Sequence, residues 1–294
     1  MTSEGFEVTA GGRTFTAEEL ELIRGIIRQE NMNRQRISQE VCRTLGWLKP
    51  DGGLKDMSCR VALLRLHRDG IIELPPPHSK NNNRLRPIEF TAAGESGDPI
   101  ASSLRDLGPI KFIRVTKSKQ SRLWNELIER YHYLGYTRLP GAQIRYFIYT
   151  GSGTLLGAIG FSSAAWALRS RDELIGWNKE QRVKRLNLVV NNSRFLILPW
   201  VRVKNLASKI LSLTAKRLPQ EWQAIYGYTP VLLETFVDKE RYRGTCYKAA
   251  NWSYVGETKG RGKWDRLNEY KLPVKDIYLY PFRKNFCEIL TGSD

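Results

Sequence analysis

Residues 194–211 read RFLILPWVRVKNLASKIL: an apolar run stopped by Pro199, a short basic loop, then Leu206 and Ile210 at helical spacing, with Leu213 following on the same side. An apolar run of strand length closed by proline predicts a buried strand, and a period near 3.6 residues predicts a helix after it. Strand, loop and helix in that order are the repeating parts of an α/β sheet, and the flanking sequence extends the pattern both ways. Upstream, SRLWNELIERYHYLGY (121–136) predicts an amphipathic helix. AQIRYFIYTGSGTLLGAIGFSS (142–163) predicts two strands joined as a hairpin at Gly151-Ser152-Gly153. RDELIGWNKEQRVKR (171–185) predicts a helical or looped insert before the next strand. Downstream, PVLLETFVD (230–238) predicts a strand, RYRGTCYKAAN (241–251) a short helix or turn, and WSYVGETKGRG (252–262) a strand running into a basic loop. The order α, β-hairpin, β, α, β, α, β predicts a mixed α/β domain over residues 111–294, with one sheet and helices on it.

Residues 1–90 have a different texture. FTAEELELIRGIIRQE opens with Thr16 and Glu19 at capping-box spacing, and Leu20, Ile23 and Ile27 fall on one face. RQRISQEVCRTLGW places Ile37, Val41 and Leu45 at i, i+4, i+8 before Gly46 stops the helix. LKDMSCRVALLRLHRDG predicts a third helix with Leu54, Met57, Val61 and Leu64 inward and Lys55, Arg60 and Arg68 outward. A short strand, a proline-led turn and a basic, asparagine-rich loop with Arg84 and Arg86 follow. Three helices and a basic hairpin predict a winged-helix-like DNA-binding domain, whose third helix enters a major groove. Residues 91–110, TAAGESGDPIASSLRDLGPI, are rich in Gly, Ser, Ala and Pro without a clear period, and predict a linker.

Composition narrows the function. The chain of 294 residues carries 47 Lys and Arg against 30 Asp and Glu, a net charge of +17. Such an excess calls for a polyanionic partner, and nucleic acid is the default. Residues 1–90 hold 14 basic and 12 acidic residues, while residues 91–294 hold 33 and 18, so the surplus belongs to the larger region. The four cysteines, Cys42, Cys59, Cys246 and Cys287, form no CxxC pair, which argues against a disulfide framework or a structural zinc site. No apolar run approaches the roughly 20 residues of a membrane span, and a soluble cytoplasmic protein is the expectation. With three histidines, the chain has no HxH pair, no HExxH and no zinc-deaminase signature, and GxxxxGK[ST] is absent as well.

The stretches GWLKPDGGLKDMSCRVALLRL, YHYLG, RFLILPWVRVKNLASKIL, LLETFVD, GTCYKAANW and VGETKGRG cover most of the chain. Through them the whole chain resembles the family of the Druantia anti-phage protein DruA, also seen with transposase-like genes in mobile elements. The resemblance implies bacterial genome defence or DNA mobility without supplying a reaction. A second resemblance, of strand order alone, is to GNAT acyltransferases, in which an Arg/Gln-x-x-Gly-x-Gly/Ala loop binds the pyrophosphate of acetyl-CoA. Here Arg202, Asn205 and Ala207 take the corresponding places. Asn205 tolerates the left-handed turn that glycine would make, but its side chain crowds a phosphate, which counts against the coenzyme.

Candidate chemistry centres on residues 233–263. Glu234 and Asp238 are four apart, roughly 13 Å on a straight strand, so they can share one Mg²⁺ for phosphodiester cleavage only if the strand bends near Val237. Asp172 is a third candidate ligand. The alternative reading pairs Glu234 with an arginine such as Arg194 and makes Asp238 a helix cap. His132, at the end of a predicted helix, can serve as a general base, and Tyr131, Tyr133 or Tyr247 as a nucleophile on phosphate. Lys259, Arg261 and Lys263, spaced by glycines, suit a phosphate-gripping loop beside Trp252, a candidate base-stacking residue. The leading expectation is a DNA-acting protein that nicks, cleaves or recombines phosphodiesters. A non-catalytic recognition subunit that recruits partner enzymes, and an acyltransferase, are the alternatives.

Overall fold

The computed structural model describes residues 7–49, 52–77, 87–139, 141–260 and 273–292. It divides into two compact units, Met1–Arg86 and Pro87–Asp294. Arg84 and Arg86 of the expected wing, and Arg261 and Lys263 of the glycine-spaced loop, lie outside the described residues.

The first unit opens with a hairpin that the sequence pattern did not announce, β1 (Glu7–Ala10) against β2 (Arg13–Thr16). Gly11 and Gly12 make the two-residue turn with φ of 60° and 82°, the positive values such hairpins require. Three helices follow: α1 (Ala17–Ile27), α2 (Arg34–Thr44) and α3 (Asp56–Arg68). Thr16 caps α1 in the expected box, its hydroxyl accepting from Glu19 N–H while the Glu19 carboxylate accepts from Thr16 N–H. Phe15, Leu20, Ile23, Ile37, Val41, Leu63 and Leu66 fill the core.

Two expectations for this unit need correction. In α3 the buried residues are Cys59, Ala62, Leu63 and Leu66, whereas Met57 and Val61 are 62% and 59% exposed. The helix carries two apolar stripes at helical spacing, and the core took the stripe whose small Cys59 and Ala62 allow close approach to α2 and the hairpin. The strand expected after α3 does not form. Leu74 N–H donates to His67 Nδ1 and Ile71 N–H to the Leu66 carbonyl, so these backbone groups are spent locally rather than on a sheet.

The second unit is a mixed α/β domain, as the order of elements predicts. After β3 (Lys111–Arg114), α4 (Ser118–Tyr131) leads into the hairpin β4 (Gln143–Tyr149) and β5 (Leu155–Ser163). Next come α5 (Arg169–Ile175), α6 (Lys179–Arg185), β6 (Val189–Ile197), α7 (Leu206–Tyr226) and β7 (Leu232–Asp238). The remainder is α8 (Thr245–Ala249), β8 (Ser253–Glu257), β9 (Lys275–Pro281) and α9 (Phe286–Thr291). The strands line up as β3-β4-β5-β6-β7-β9-β8, antiparallel except for β6 and β7, which run parallel for three residue pairs. Trp124, Tyr146, Phe161, Leu211, Leu218 and Trp222 are among the side chains packed between sheet and helices.

Residues 91–110 are not a free linker. Thr91 donates from both its backbone N–H and its hydroxyl to the Glu126 carboxylate, at 2.6 and 2.8 Å. Tyr131 donates to the Gly94 carbonyl, and Ile100 pairs with Val201 through bonds to the Trp200 carbonyl and from Arg202 N–H. Glu126 is 2% exposed and needs donors, and this strap supplies them together with Arg130.

Glu234 sits at the centre of the sheet, fully buried, and Arg171, also fully buried, donates to its Oε2 at 2.7 Å. Ala165 N–H occupies Oε1 at 2.7 Å. Arg171 also reaches Asp172 Oδ1, and Arg182 reaches Asp172 Oδ2 at 2.9 Å, so one network ties α5 and α6 to β7. Removing one partner of a buried ion pair leaves an uncompensated charge, which costs roughly 3–5 kcal/mol. Glu234→Gln is therefore expected to lower unfolding stability by about that amount in a denaturant titration. Glu173→Gln, at the exposed Arg169–Glu173 pair, should leave the midpoint where it is.

Candidate functional site

The strand holding both carboxylates does not bend. β7 pairs with β9 without interruption from Leu232 opposite Pro281 to Asp238 opposite Lys275. Glu234 and Asp238 thus stay apart on a straight strand, and both Glu234 oxygens are taken by Arg171 and Ala165. Asp172 has both oxygens on guanidinium groups: against the upward push of burial, Arg171 and Arg182 hold its carboxyl below its ordinary value. These residues do not fit a shared Mg²⁺ ion, and no group of three or more His, Cys, Asp or Glu placed to hold a metal occurs among the described residues. The arginine that pairs with Glu234 is Arg171, not Arg194.

What the straight strand does is deliver Asp238 to a different cluster. α4 ends at His132, whose N–H still bonds the Ile128 carbonyl while its own backbone turns extended. Gly135, with φ of 59°, closes the following turn, and its carbonyl accepts from Arg194 Nε of β6 at 3.2 Å. Tyr133 stacks on His132 at 4.9 Å between ring centroids and meets Tyr242 at 5.6 Å. Tyr242 lies in the turn that Asp238 organises, where the Asp238 carbonyl accepts the N–H groups of Arg241 and Tyr242 and its carboxylate accepts from Glu240 N–H. The capping role expected of Asp238 is thus a turn-stabilising one. Arg241 lies over Tyr133, 5.5 Å from the ring centroid, and approaches Asp238 Oδ2 at 3.5 Å.

The charges here do not balance. Arg194 is 9% exposed, and no carboxylate pairs with it among the described residues; two of its N–H groups go to the Gly135 and Ser193 carbonyls. Burial and nearby Arg194 pull the Lys275 ammonium below its ordinary value, partly offset by Asp238. Burial, Arg194 and Lys275 push the His132 imidazole down from 6.5 to about 4. Burial, with Asp238 and Tyr242, pushes the Tyr133 phenol up to about 12. At neutral pH His132 is uncharged, and because Nδ1 accepts from Leu134 N–H at 3.2 Å, its proton sits on Nε2. His132 therefore presents a donor, not the general base that the sequence suggested. Arg194, Lys275, Arg241, Tyr133 and His132 are all donors; the Asp238 carboxylate meets Arg241, and the Glu129 carboxylate, in the last turn of α4, accepts from Tyr136 N–H.

Comparison with known proteins agrees with the sequence signature. The family described as Druantia protein DruA matches residues 65–269, most of the second unit and the end of α3. The chain belongs to the DruA family. No curated protein matches it. Among solved structures, this DruA-family chain is similar to a spermidine N-acetyltransferase from Vibrio cholerae at 11% identity and TM-score 0.37, covering 57% of this chain and 94% of that one. It is similar also to an N-acetyltransferase from Staphylococcus aureus Mu50 at 10% identity and TM-score 0.38, covering 60% and 99%. Likeness at this level carries no activity across.

The DruA-family chain places the remaining candidates as follows. Asn205 is left-handed with φ of 62° at the start of α7, with Arg202 exposed and Ala207 in the first helical turn. Tyr247 is fully enclosed, donating to Asn192 Oδ1 at 2.8 Å with its phenol pushed up chiefly by burial, so it is a core residue and not a nucleophile. Tyr131 is spent on Gly94. Trp252 is 4% exposed against Tyr247 and Tyr280 and cannot stack a base. Lys259 stands just after β8. In the first unit Arg60 is paired with Asp56, Lys55 is half-buried at the head of α3, and Arg68 is exposed. Lys275, Arg241 and Tyr242 escaped sequence reasoning because no motif marks them. Their signal is the pairing of β9 with β7, which local pattern does not give.

The depressed His132 value has a measurable consequence. An unfolded histidine takes up its proton as pH falls through 6.5, whereas the folded one resists until about 4. Stability from this group is thus present above pH 6.5 and lost as pH falls toward 4, about 3 kcal/mol in all at 1.36 kcal/mol per unit. His132→Gln should flatten that part of the stability profile, and an NMR titration of the His132 ring should show no protonation down to pH 5.

Proposed function

We propose that the protein is a DNA-binding component of anti-phage defence, whose second unit holds a backbone phosphate at the Arg194, Lys275 and Arg241 cluster. One observation carries this reading. Arg241 and Lys275 act on Asp238, Arg194 stands beside Lys275 with no carboxylate paired to it among the described residues, and the neutral groups beside them, His132 and Tyr133, are held as donors. An acceptor-rich anion is the complement of such a site, and a phosphodiester is the one a strongly basic chain meets in the cell. Family membership supports the defence role, and the basic surplus of residues 91–294 supports the polyanion. For the first unit, the proposal is a winged-helix-type contact in which α3 offers exposed Arg65 and Arg68 beside Met57 and Val61.

Each phosphate contact adds about 0.9 to the slope of log K against log salt on duplex DNA and about 0.7 on a single strand. Arg241→Glu with Lys275→Glu should weaken binding at least tenfold at low salt in fluorescence anisotropy and reduce the slope by about 1–2. Arg241 is exposed, so Arg241→Glu alone serves where the double variant fails to fold. Unchanged affinity in both would remove the proposal.

Strand cleavage is a second reading, favoured by one residue. Tyr133 is the candidate tyrosine whose hydroxyl has no hydrogen-bond partner among the described residues, and the Asp238 charge acts on it directly. In that reading the Tyr133 oxygen attacks phosphorus and Asp238 takes the phenolic proton. The displaced sugar oxygen leaves as an alcohol once protonated, with a phosphotyrosine ester formed. A DNA–protein adduct that survives detergent, and that Tyr133→Phe abolishes, is the expected result; its absence across single-stranded, branched and duplex substrates excludes this chemistry.

A further inference from the structure

A groove of about 470 Å³ opens between the C-terminal half of α7 and the end of β9, within the second unit and apart from the His132 cluster. That is within the usual range for small-molecule sites, about 300–1,000 Å³. Its walls carry a specific chemistry. Tyr280 and Phe282, with ring centroids 5.9 Å apart, supply aromatic faces, and Trp252 braces Tyr280 from behind at 5.7 Å. Lys216 and Arg283 are exposed cations at the rim, and no Asp or Glu lines the groove among the described residues. Gln220 and Gln223 add amides. Pro219 stands inside α7 and has no N–H to give the Ala215 carbonyl four residues back, so the helix wall carries an acceptor that its proline does not engage.

We infer that this groove binds a nucleotide, with the base against Tyr280 and Phe282 and the phosphate between Lys216 and Arg283. Aromatic faces accept any base by stacking, and an anion with no carboxylate opposing it completes the match. Amides and a main-chain carbonyl are the groups that read base edges. A purely apolar ligand would leave Lys216, Arg283 and Gln220 unengaged, Gln223 already accepting from the Thr229 hydroxyl, and a cationic one would meet two like charges. The nucleotide can arrive free or as one residue of a single strand, and the test separates the two sources.

The full-length chain is irradiated with azido-substituted AMP in one arm and with an iododeoxyuridine-bearing single strand in the other, and the adducts are mapped by mass spectrometry. Adducts on the peptide carrying Tyr280 and Phe282 are expected. Lys216→Glu with Arg283→Glu, both surface changes, should lower adduct yield and affinity at least tenfold. Tyr280→Leu should lower the yield while keeping a large apolar side chain in the strand. Labelling by AMP alone assigns a free nucleotide, and labelling by the strand assigns a DNA track. Arg241→Glu should leave AMP labelling of this peptide intact, because a mononucleotide in the groove does not reach the phosphate cluster; in that arm failure of the phosphate site and failure of the groove are told apart. Adducts confined to other peptides, or a yield unmoved by the double charge reversal, would overturn the inference.

Discussion

The buried pair of Arg171 and Glu234 is the constraint from which the placement of α5, α6 and β7 in the second unit follows. A carboxylate at the centre of a sheet with no water is untenable unless a cation and a backbone donor meet it, and Arg171 and Ala165 do so at 2.7 Å each. To reach it, the segment after β5 must fold back over β7, which places α5 and then α6 beside the sheet. Arg171 in turn lies over the Trp177 ring at 5.5 Å and holds Asp172, so the return is fixed at several points. Such a network stabilises less than its contacts suggest, because desolvating each ion costs several kcal/mol. Its effect is geometric: with Glu234 locked inward, β7 stays in register with β9 to its last residue.

That register decides where chemistry can happen. Because β7 runs straight, Asp238 emerges opposite Lys275 at the strand end, where the end of α4 and the Arg194 side chain arrive from the other side. The same straightness removes a carboxylate pair from contention and brings Asp238 and Lys275 to the cluster of donors in its place. Beside the parallel pairing of β6 and β7, Tyr247 bonds Asn192 and packs on Phe195 and Tyr278. The proposed phosphate site accordingly lies at the strand ends, where ligands commonly bind in open α/β sheets.

The parts of this molecule legible in its sequence are those set by short-range rules. The Thr16 capping box, the α7 start at Asn205 with its positive φ, and the order of strands and helices from α4 to β8 all follow from neighbours within a few residues, whereas β3, β9 and α9 are not in the sequence pattern. What failed did so for identifiable reasons. α3 has two stripes of helical period, and packing, not periodicity, chose Cys59 and Ala62 over Met57 and Val61. Residues 91–110 have the composition of a linker, but the acceptor that holds them, Glu126, is far away in sequence. Glu234 near Asp238 looked like a metal pair because its true partner lies 63 positions upstream. The cluster around His132 draws on α4, β6, β7 and β9, and no window of sequence contains all four.

The two proposed sites of the second unit share a strand. Lys275 opens β9 and Tyr280 stands near its end, five residues apart or about 17 Å at 3.3–3.4 Å per residue. Along the axis of a duplex each strand contributes one phosphate per about 3.4 Å of rise, so a stretch of a few nucleotides can span both. A duplex fits the phosphate cluster but cannot insert a base against Tyr280 and Phe282 without unstacking it, at a cost of a few kcal/mol. A single strand pays no such cost. Occupancy of both sites at once thus favours single-stranded or locally opened DNA over intact duplex, a preference that arises from spacing and stacking and needs no contact that reads sequence.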